Sequence, residues 1–258
     1  MIPVFLFLLF LSMTAVPLRA ADNENQIDEN TDPTEVISKA NADIKTPLIF
    51  GDIAPSRKRN AVPCTATGCK WPKSGSYVYI PIYISSHYSA AERNIIIRGL
   101  VSFHSSTCIR FVWRRTQSSY LYFYSGTGCW SYLGHQGGLQ PVSLRRNGCL
   151  FQSTVQHEVN HALGFHHEQV RSDRDNYVQI LTQNIIPGKE HNFMKVNTNN
   201  QGTGYDFNSV MHYSNTAFSR NGQPTIISKD NPSLSFGRAA SMSATDIARI
   251  NKLYGCCE

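Results

Sequence analysis

The run His157-Glu158-Val159-Asn160-His161-Ala162-Leu163-Gly164-Phe165-His166-His167 constrains this chain more than any other stretch. Histidines four residues apart share a helix face, one turn from each other, so both reach one ion only if the backbone is helical there. Gly164 takes a positive φ readily, which ends the helix and turns the chain back. His167 then approaches the same point from a second direction. Glu158 sits beside the first histidine, where a carboxylate can take a proton from water at the ion. Three protein ligands leave one position open, the layout of a catalytic zinc and not of a structural one. At roughly one in twenty per position, the five residues His157, Glu158, His161, Gly164 and His167 recur by chance about once in three million starts, so a surface helix that merely carries histidines is a poor rival. His166 is one residue off this spacing and reads as a surface histidine or a neighbour of the site.

The chain opens on an apolar run, Val4 to Leu11, followed by small residues at Ala20 and Ala21. The run is too short to span a bilayer and reads as part of a secretory signal peptide over residues 1–20. No later stretch is long and apolar enough for a membrane span. Residues 21–59 are rich in Asp, Glu and Asn and poor in aromatics, a composition that buries no core of its own. They end in Arg57-Lys58-Arg59, on which a trypsin-like or convertase-like protease could act, releasing Asn60 as a new N-terminus. The expected organisation is a signal peptide, a pro-segment over 21–59 and one domain over 60–258. Residues 1–59 carry six Lys and Arg against eight Asp and Glu, and the remainder 18 against 10. An acidic leader on a basic domain favours docking of the two, and the domain's positive balance points to acidic or anionic substrates. No base-reading module is present, which sets nucleic acid aside as a partner.

H-E-x-x-H-x-x-G-x-x-H is the metzincin pattern. The segments Gly164-Phe165-His166-His167-Glu168, Arg171-Ser172-Asp173-Arg174-Asp175 and Ser209-Val210-Met211-His212-Tyr213 make the chain resemble the astacin branch, over essentially its whole length. The resemblance implies one Zn²⁺ on His157, His161 and His167, with Met211 as a hydrophobic floor. It implies Tyr213 as a further zinc ligand that swings away to hydrogen-bond the reacting carbonyl, a role that suits a phenol. It also implies that Glu168 is buried and tied to the N-terminus created by cleavage. A buried carboxylate needs a partner, and an α-ammonium would supply one. Astacin leaders carry an F-x-G-D motif whose aspartate occupies the zinc, and Phe50-Gly51-Asp52-Ile53 resembles it. Asp52 is therefore the candidate latency switch. Ile49 stands where that motif has its Phe, and Phe50 follows it.

All seven cysteines follow Arg59, and export makes disulfides the default for Cys64, Cys69, Cys108, Cys129, Cys149, Cys256 and Cys257. The resemblance implies Cys129–Cys149, a bond from Cys108 to Cys256 or Cys257, and Cys64–Cys69 closing a small loop, with one thiol left over. This set is similar to that of single-domain, six-cysteine fish astacins of the hatching (choriolytic) type. The coarse patterns agree with the α+β, two-lobed metzincin fold that this implies. Residues 77–84 alternate as a strand, and 108–113 and 120–124 read as further strands. Ser89-Ala90-Ala91-Glu92 is a capping box opening a helix to about His104, with Ile96, Leu100 and Phe103 on its apolar face. Residues 138–144 read as a strand whose Pro141 argues for an edge. The resemblance places such an edge along the cleft, pairing with extended substrate. Residues 153–163 form the zinc helix. The chain is irregular beyond Gly164 until Ser243-Ala244-Thr245-Asp246 caps a last helix to Tyr254.

The expected activity is hydrolysis of internal peptide bonds in protein substrates by a secreted, monomeric zymogen, stored in granules. A hatching role, softening an egg envelope, is the first expectation; service in kidney, skin, gut or brood tissue is the alternative. A non-catalytic binding protein on the same scaffold would be free to lose Glu158 or a histidine, and neither is lost. Another metzincin branch would lack Tyr213 and often use a leader cysteine for latency, and no cysteine precedes Cys64.

Overall fold

The computed structural model describes residues 32–45, 47–56 and 69–256. The expected signal peptide over residues 1–20, the expected cut between Arg59 and Asn60, Cys64 and Cys257 lie outside them. The upper lobe is a mixed seven-stranded sheet built from β1 (Ile53–Ala54), β2 (Lys73–Ser74), β3 (Tyr77–Ile84), β4 (Ile109–Trp113), β5 (Tyr120–Tyr124), β6 (Cys129–Tyr132) and β7 (Leu139–Leu144). The helices are α1 (Pro33–Asn41), α2 (Ala90–Val101), α3 (Gln152–Leu163) and α4 (Ala244–Tyr254). Alternation along β3 sends Val78, Ile80, Ile82 and Ile84 into the core, against Ile96 and Leu100 of α2 and Val155 and Val159 of α3. The capping box is present: Ser89 N donates to the Glu92 carboxylate and Glu92 N donates to Ser89 Oγ. The helix it opens ends at Val101, short of His104, because the last turn tightens, with Phe103 and His104 donating to carbonyls three residues back. Phe103 is buried all the same.

Pro141 does not mark an edge. β7 lies between β5, to which it is parallel, and β6, to which it is antiparallel. Its ladder with β6 covers only Ser143 and Leu144, so Pro141 falls beyond that stretch, where a missing N–H is tolerated. The edge toward the cleft is β6 instead. Its Ser131 and Tyr132 pair in parallel with Ile53 and Ala54 of the leader.

Below α3 the chain is irregular, with one small antiparallel ribbon that no periodicity announced, β8 (Val178–Ile180) on β9 (Ile226–Ser228). This lobe has its own core, including Val178, Ile185, Phe193, Tyr213, Ile226 and Phe236. Within the leader, residues 33–41 form a helix with Asp32 as N-cap and a proline in the first turn. Its buried Ile37 and Ala40 belong to the upper core, so the leader has no core of its own but borrows the domain's. Disulfides join Cys108 to Cys256 and Cys129 to Cys149. Cys69 is also disulfide-bonded.

Candidate active site

Helix α3 runs to Leu163 and is capped by Gly164 at φ 109°, where a side chain would be strained. The reversal brings His167 back to His157 and His161. His157 Nδ1 donates to the Val210 carbonyl at 2.8 Å and His161 Nδ1 donates to the Phe165 carbonyl at 2.7 Å. Those bonds settle the tautomer, leaving a lone pair on each Nε2. His157 Nε2 lies 3.1 Å from that of His161 and 3.2 Å from that of His167. Asp52 of the leader closes the fourth side. Its Oδ2 is 3.0 Å from His157 Nε2 and 3.1 Å from His167 Nε2, and its Oδ1 is 3.4 Å from His161 Nε2.

Acceptors that converge this closely in a fully buried place call for a cation. Three imidazoles and a carboxylate are a donor set that suits zinc. Two further observations fit. Asp52 Oδ1 and both carboxylate oxygens of the buried Glu158 have no hydrogen-bond partner within the protein. Burial pushes the Glu158 carboxyl well above its usual range, and the Asp52 carboxylate pushes it further. Burial alone raises Asp52 as well, and only positive charge at His167, His161 and His157, such as a cation held among them would bring, draws its carboxyl well below the usual carboxylate range.

The leader delivers Asp52 through a tight turn. Ile49 and Ile53 exchange backbone hydrogen bonds of 2.8 and 2.9 Å, and the turn between them contains Phe50 at φ 51° and Gly51 at φ 85°. A Cβ on Gly51 would lie 2.9 Å from Phe218 Cζ and 3.3 Å from Tyr213 Oη, so only glycine fits against the cleft wall. The apolar anchor is Phe50, not Ile49: Phe50 packs with Ile53 and Val170, while Ile49 is 45% exposed. Asn41, which sequence reasoning passed over, grips this turn. Its side-chain amide donates to the Gly51 and Cys129 carbonyls and its oxygen accepts from Cys129 N, much as a strand residue would.

The structure brings Tyr213 to the leader. Its hydroxyl donates to the Phe50 carbonyl at 2.5 Å, and its ring is 4.7 Å from that of His167. Met211 is buried in the turn whose Val210 carbonyl holds His157, and its own carbonyl accepts from Glu168 N. His166 is a half-buried neighbour of the site and not a surface residue; Phe50 meets its ring edge-on. Glu168 is buried, as the resemblance implied, but its partners in this uncut chain are arginines. Arg249 donates to both its oxygens at 2.6 and 2.9 Å, and Arg171 and Asp206 N also donate to it. Burial therefore needs no α-ammonium to balance it here. Arg249 had no local motif to mark it. A carboxylate-to-arginine match across 81 residues is invisible to pattern reading.

Fold and site together define a zinc peptidase of the metzincin type. Residues 65–255 match the model of the Astacin peptidase family. High choriolytic enzyme 1 of Oryzias latipes is 43% identical over 261 residues, 97% of each chain. The Low choriolytic enzyme of the same fish is 39% identical over 262 residues, again 97% of each. The solved structure of High choriolytic enzyme 1, described as a hatching enzyme zinc-protease, superposes with a TM-score of 0.73 at 46% identity, covering 77% of this chain and 100% of that one. This chain belongs to the astacin family and is a zinc-dependent metalloendopeptidase.

Proposed function

We propose that the chain is a secreted, hatching-type endopeptidase made as a zymogen, with one zinc held by His157, His161 and His167 and shut off by Asp52. The observation that carries this reading is the leader carboxylate seated among three histidine Nε2 atoms. Zinc, when bound there, supplies Lewis-acid polarisation of water and of the scissile carbonyl. Glu158 faces that point, accepts the proton of the attacking water and returns it to the leaving amine. Once cleavage between Arg59 and Asn60 by a trypsin-like or convertase-like protease frees the leader, Tyr213 loses the Phe50 carbonyl and its hydroxyl is free to donate to the developing oxyanion. The new N-terminus and Glu168 complete the active form, with Arg249 and Arg171 sharing the carboxylate. Proteins of an extracellular coat such as an egg envelope are the substrates, in keeping with the choriolytic relatives.

Glu158→Gln tests the scheme. The activated variant is expected to keep its zinc, measured by metal analysis, and to lose roughly a hundred- to ten-thousand-fold in kcat. Near-normal turnover by zinc-loaded Glu158→Gln would overturn it.

A further inference from the structure

Positive charge is concentrated in one lobe. Residues 70–151 hold nine Lys and Arg against Glu92 alone, while residues 152–258 hold nine of each sign. Glu92 is already engaged, pairing with Arg146 at 2.7 Å and accepting from Ser89 N. Among the described residues, no carboxylate lies within ion-pair distance of Arg110, Arg114 or Arg115. Two of these cations lie over aromatic rings, Arg110 over Tyr77 at 4.4 Å and Arg114 over Tyr120 at 4.1 Å.

These rings belong to the sheet face turned away from the core. Strand alternation sends Val78, Ile80, Leu121 and Phe123 inward and their neighbours outward. The register then aligns the outward side chains of adjacent strands, with Tyr79 opposite Arg110 and Tyr83 opposite Tyr122. A chain of ring contacts crosses the face: Tyr83 to Tyr122 at 5.7 Å, Tyr122 to Tyr124 at 5.5 Å, Tyr124 to Trp130 at 6.2 Å and Trp130 to Tyr132 at 6.0 Å. It ends on Tyr132, opposite Ala54 of the leader, so the face is continuous with the edge that borders the catalytic cleft. An exposed aromatic face of this kind is uncommon on a protein with nothing to bind. Tyrosine, tryptophan and arginine are the residues on which protein–protein binding energy concentrates. Rings already stacked on one another lose little freedom when covered, and arginine matches carboxylates with two parallel hydrogen bonds.

We propose that this outer sheet face is a docking surface for an acidic, extended segment of the protein substrate, held apart from the bond being cut. The proposal rests on the endopeptidase reading and deepens it, since it names the substrate class. Docking here raises the local concentration of substrate at the cleft and falls with added salt.

The test uses the full chain, activated and zinc-loaded, and two substrates with the same scissile sequence. One is a short uncharged peptide; the other carries a run of glutamates beyond the cut. The triple variant R110Q/R114Q/R115Q is expected to lose about tenfold in kcat/KM on the acidic substrate, through KM, and nothing on the short one. Free polyglutamate should compete with the first and not with the second. Equal loss on both substrates, or loss on neither, would overturn the proposal. A second arm measures binding of polyglutamate, a heparin fragment and single-stranded DNA to the uncut Glu158→Gln chain by intrinsic fluorescence. Binding of polyglutamate that the triple variant lacks supports the proposal; preference for heparin or DNA removes the polypeptide assignment. If neither substrate is cut by any form, the protease reading fails, and the binding arm still reports on the face. Thermal unfolding of the triple variant, and retention of docking in R110K/R114K/R115K, separate lost charge from lost fold.

Discussion

A histidine ligand is only as well aimed as the group that holds its other nitrogen. For His157 and His161 those groups are the backbone carbonyls of Val210 and Phe165, so no residue type announces them. The same holds for Asn41, whose partners Cys129 and Gly51 lie far from it in the sequence or on a turn that no pattern marks. Arg171 is a case where the sequence run was suggestive and the chemistry follows from geometry. Its guanidinium donates to both oxygens of Asp173 at 2.9 Å, and that hydrogen bonding holds Asp173 below its ordinary value of 3.8. A depressed carboxyl adds stability above the unfolded pKa and loses it as pH falls through the lower folded value. Asp173→Asn is therefore expected to cost about 1 kcal/mol or less at neutral pH, because the pair is partly solvated. Urea unfolding of the two proteins should converge as pH drops below 3.8; a gap that persists in acid would mean the residue acts otherwise.

At the scale of elements, α4 does more than close the domain. Asp246 sits in its first turn, and Ser243 N donates to its carboxylate within the capping box. The same carboxylate accepts from Ser209 Oγ at 2.6 Å and Val210 N at 2.9 Å. Helix cap, Met211 turn and His157 thus form one linked chain of hydrogen bonds, the last link being the Val210 carbonyl. Asp246→Ala strands several buried donors and is expected to destabilise the domain by about 3 kcal/mol. It should also weaken zinc retention in a chelator competition assay, since His157 loses its brace. Unchanged zinc affinity in a folded Asp246→Ala protein would show that the turn holds without it. The capping box itself was legible from Ser243 and Asp246, because a cap is local. Its second use was not, because the turn it clamps lies 36 residues away.

At the scale of the molecule, the leader spans both lobes. Thr34 Oγ1 donates to the His212 carbonyl, which belongs to the lower half, and Asn41 engages β6 of the upper sheet. Between them the turn at Phe50 and Gly51 places Asp52 in the site, and β1 extends the sheet beyond it. The proposed latency rests on separable grips. Uncut Asp52→Ala is expected to leak turnover on a small peptide. Adding Asn41→Ala should raise that leak roughly tenfold, the effect of about 1.4 kcal/mol in leader affinity. A silent uncut double variant, still activated normally by trypsin, would rule out the leader turn as the lock.

The sequence by itself determined what depends on short range. The zinc helix and its glycine stop, the strands over 77–84 and 120–124 and the capped helices follow from spacing, alternation and caps, all settled within a few residues. Long-range pairing is decided only when the chain closes on itself. That is why Pro141 lies inside the sheet and β6 forms the edge, why Cys256 and not Cys257 joins Cys108, and why Glu168 meets Arg249 in the uncut chain. The outward aromatic face is a product of both. Alternation puts tyrosines on one side of each strand, but only the register of four strands stacks them into a continuous surface beside the cleft.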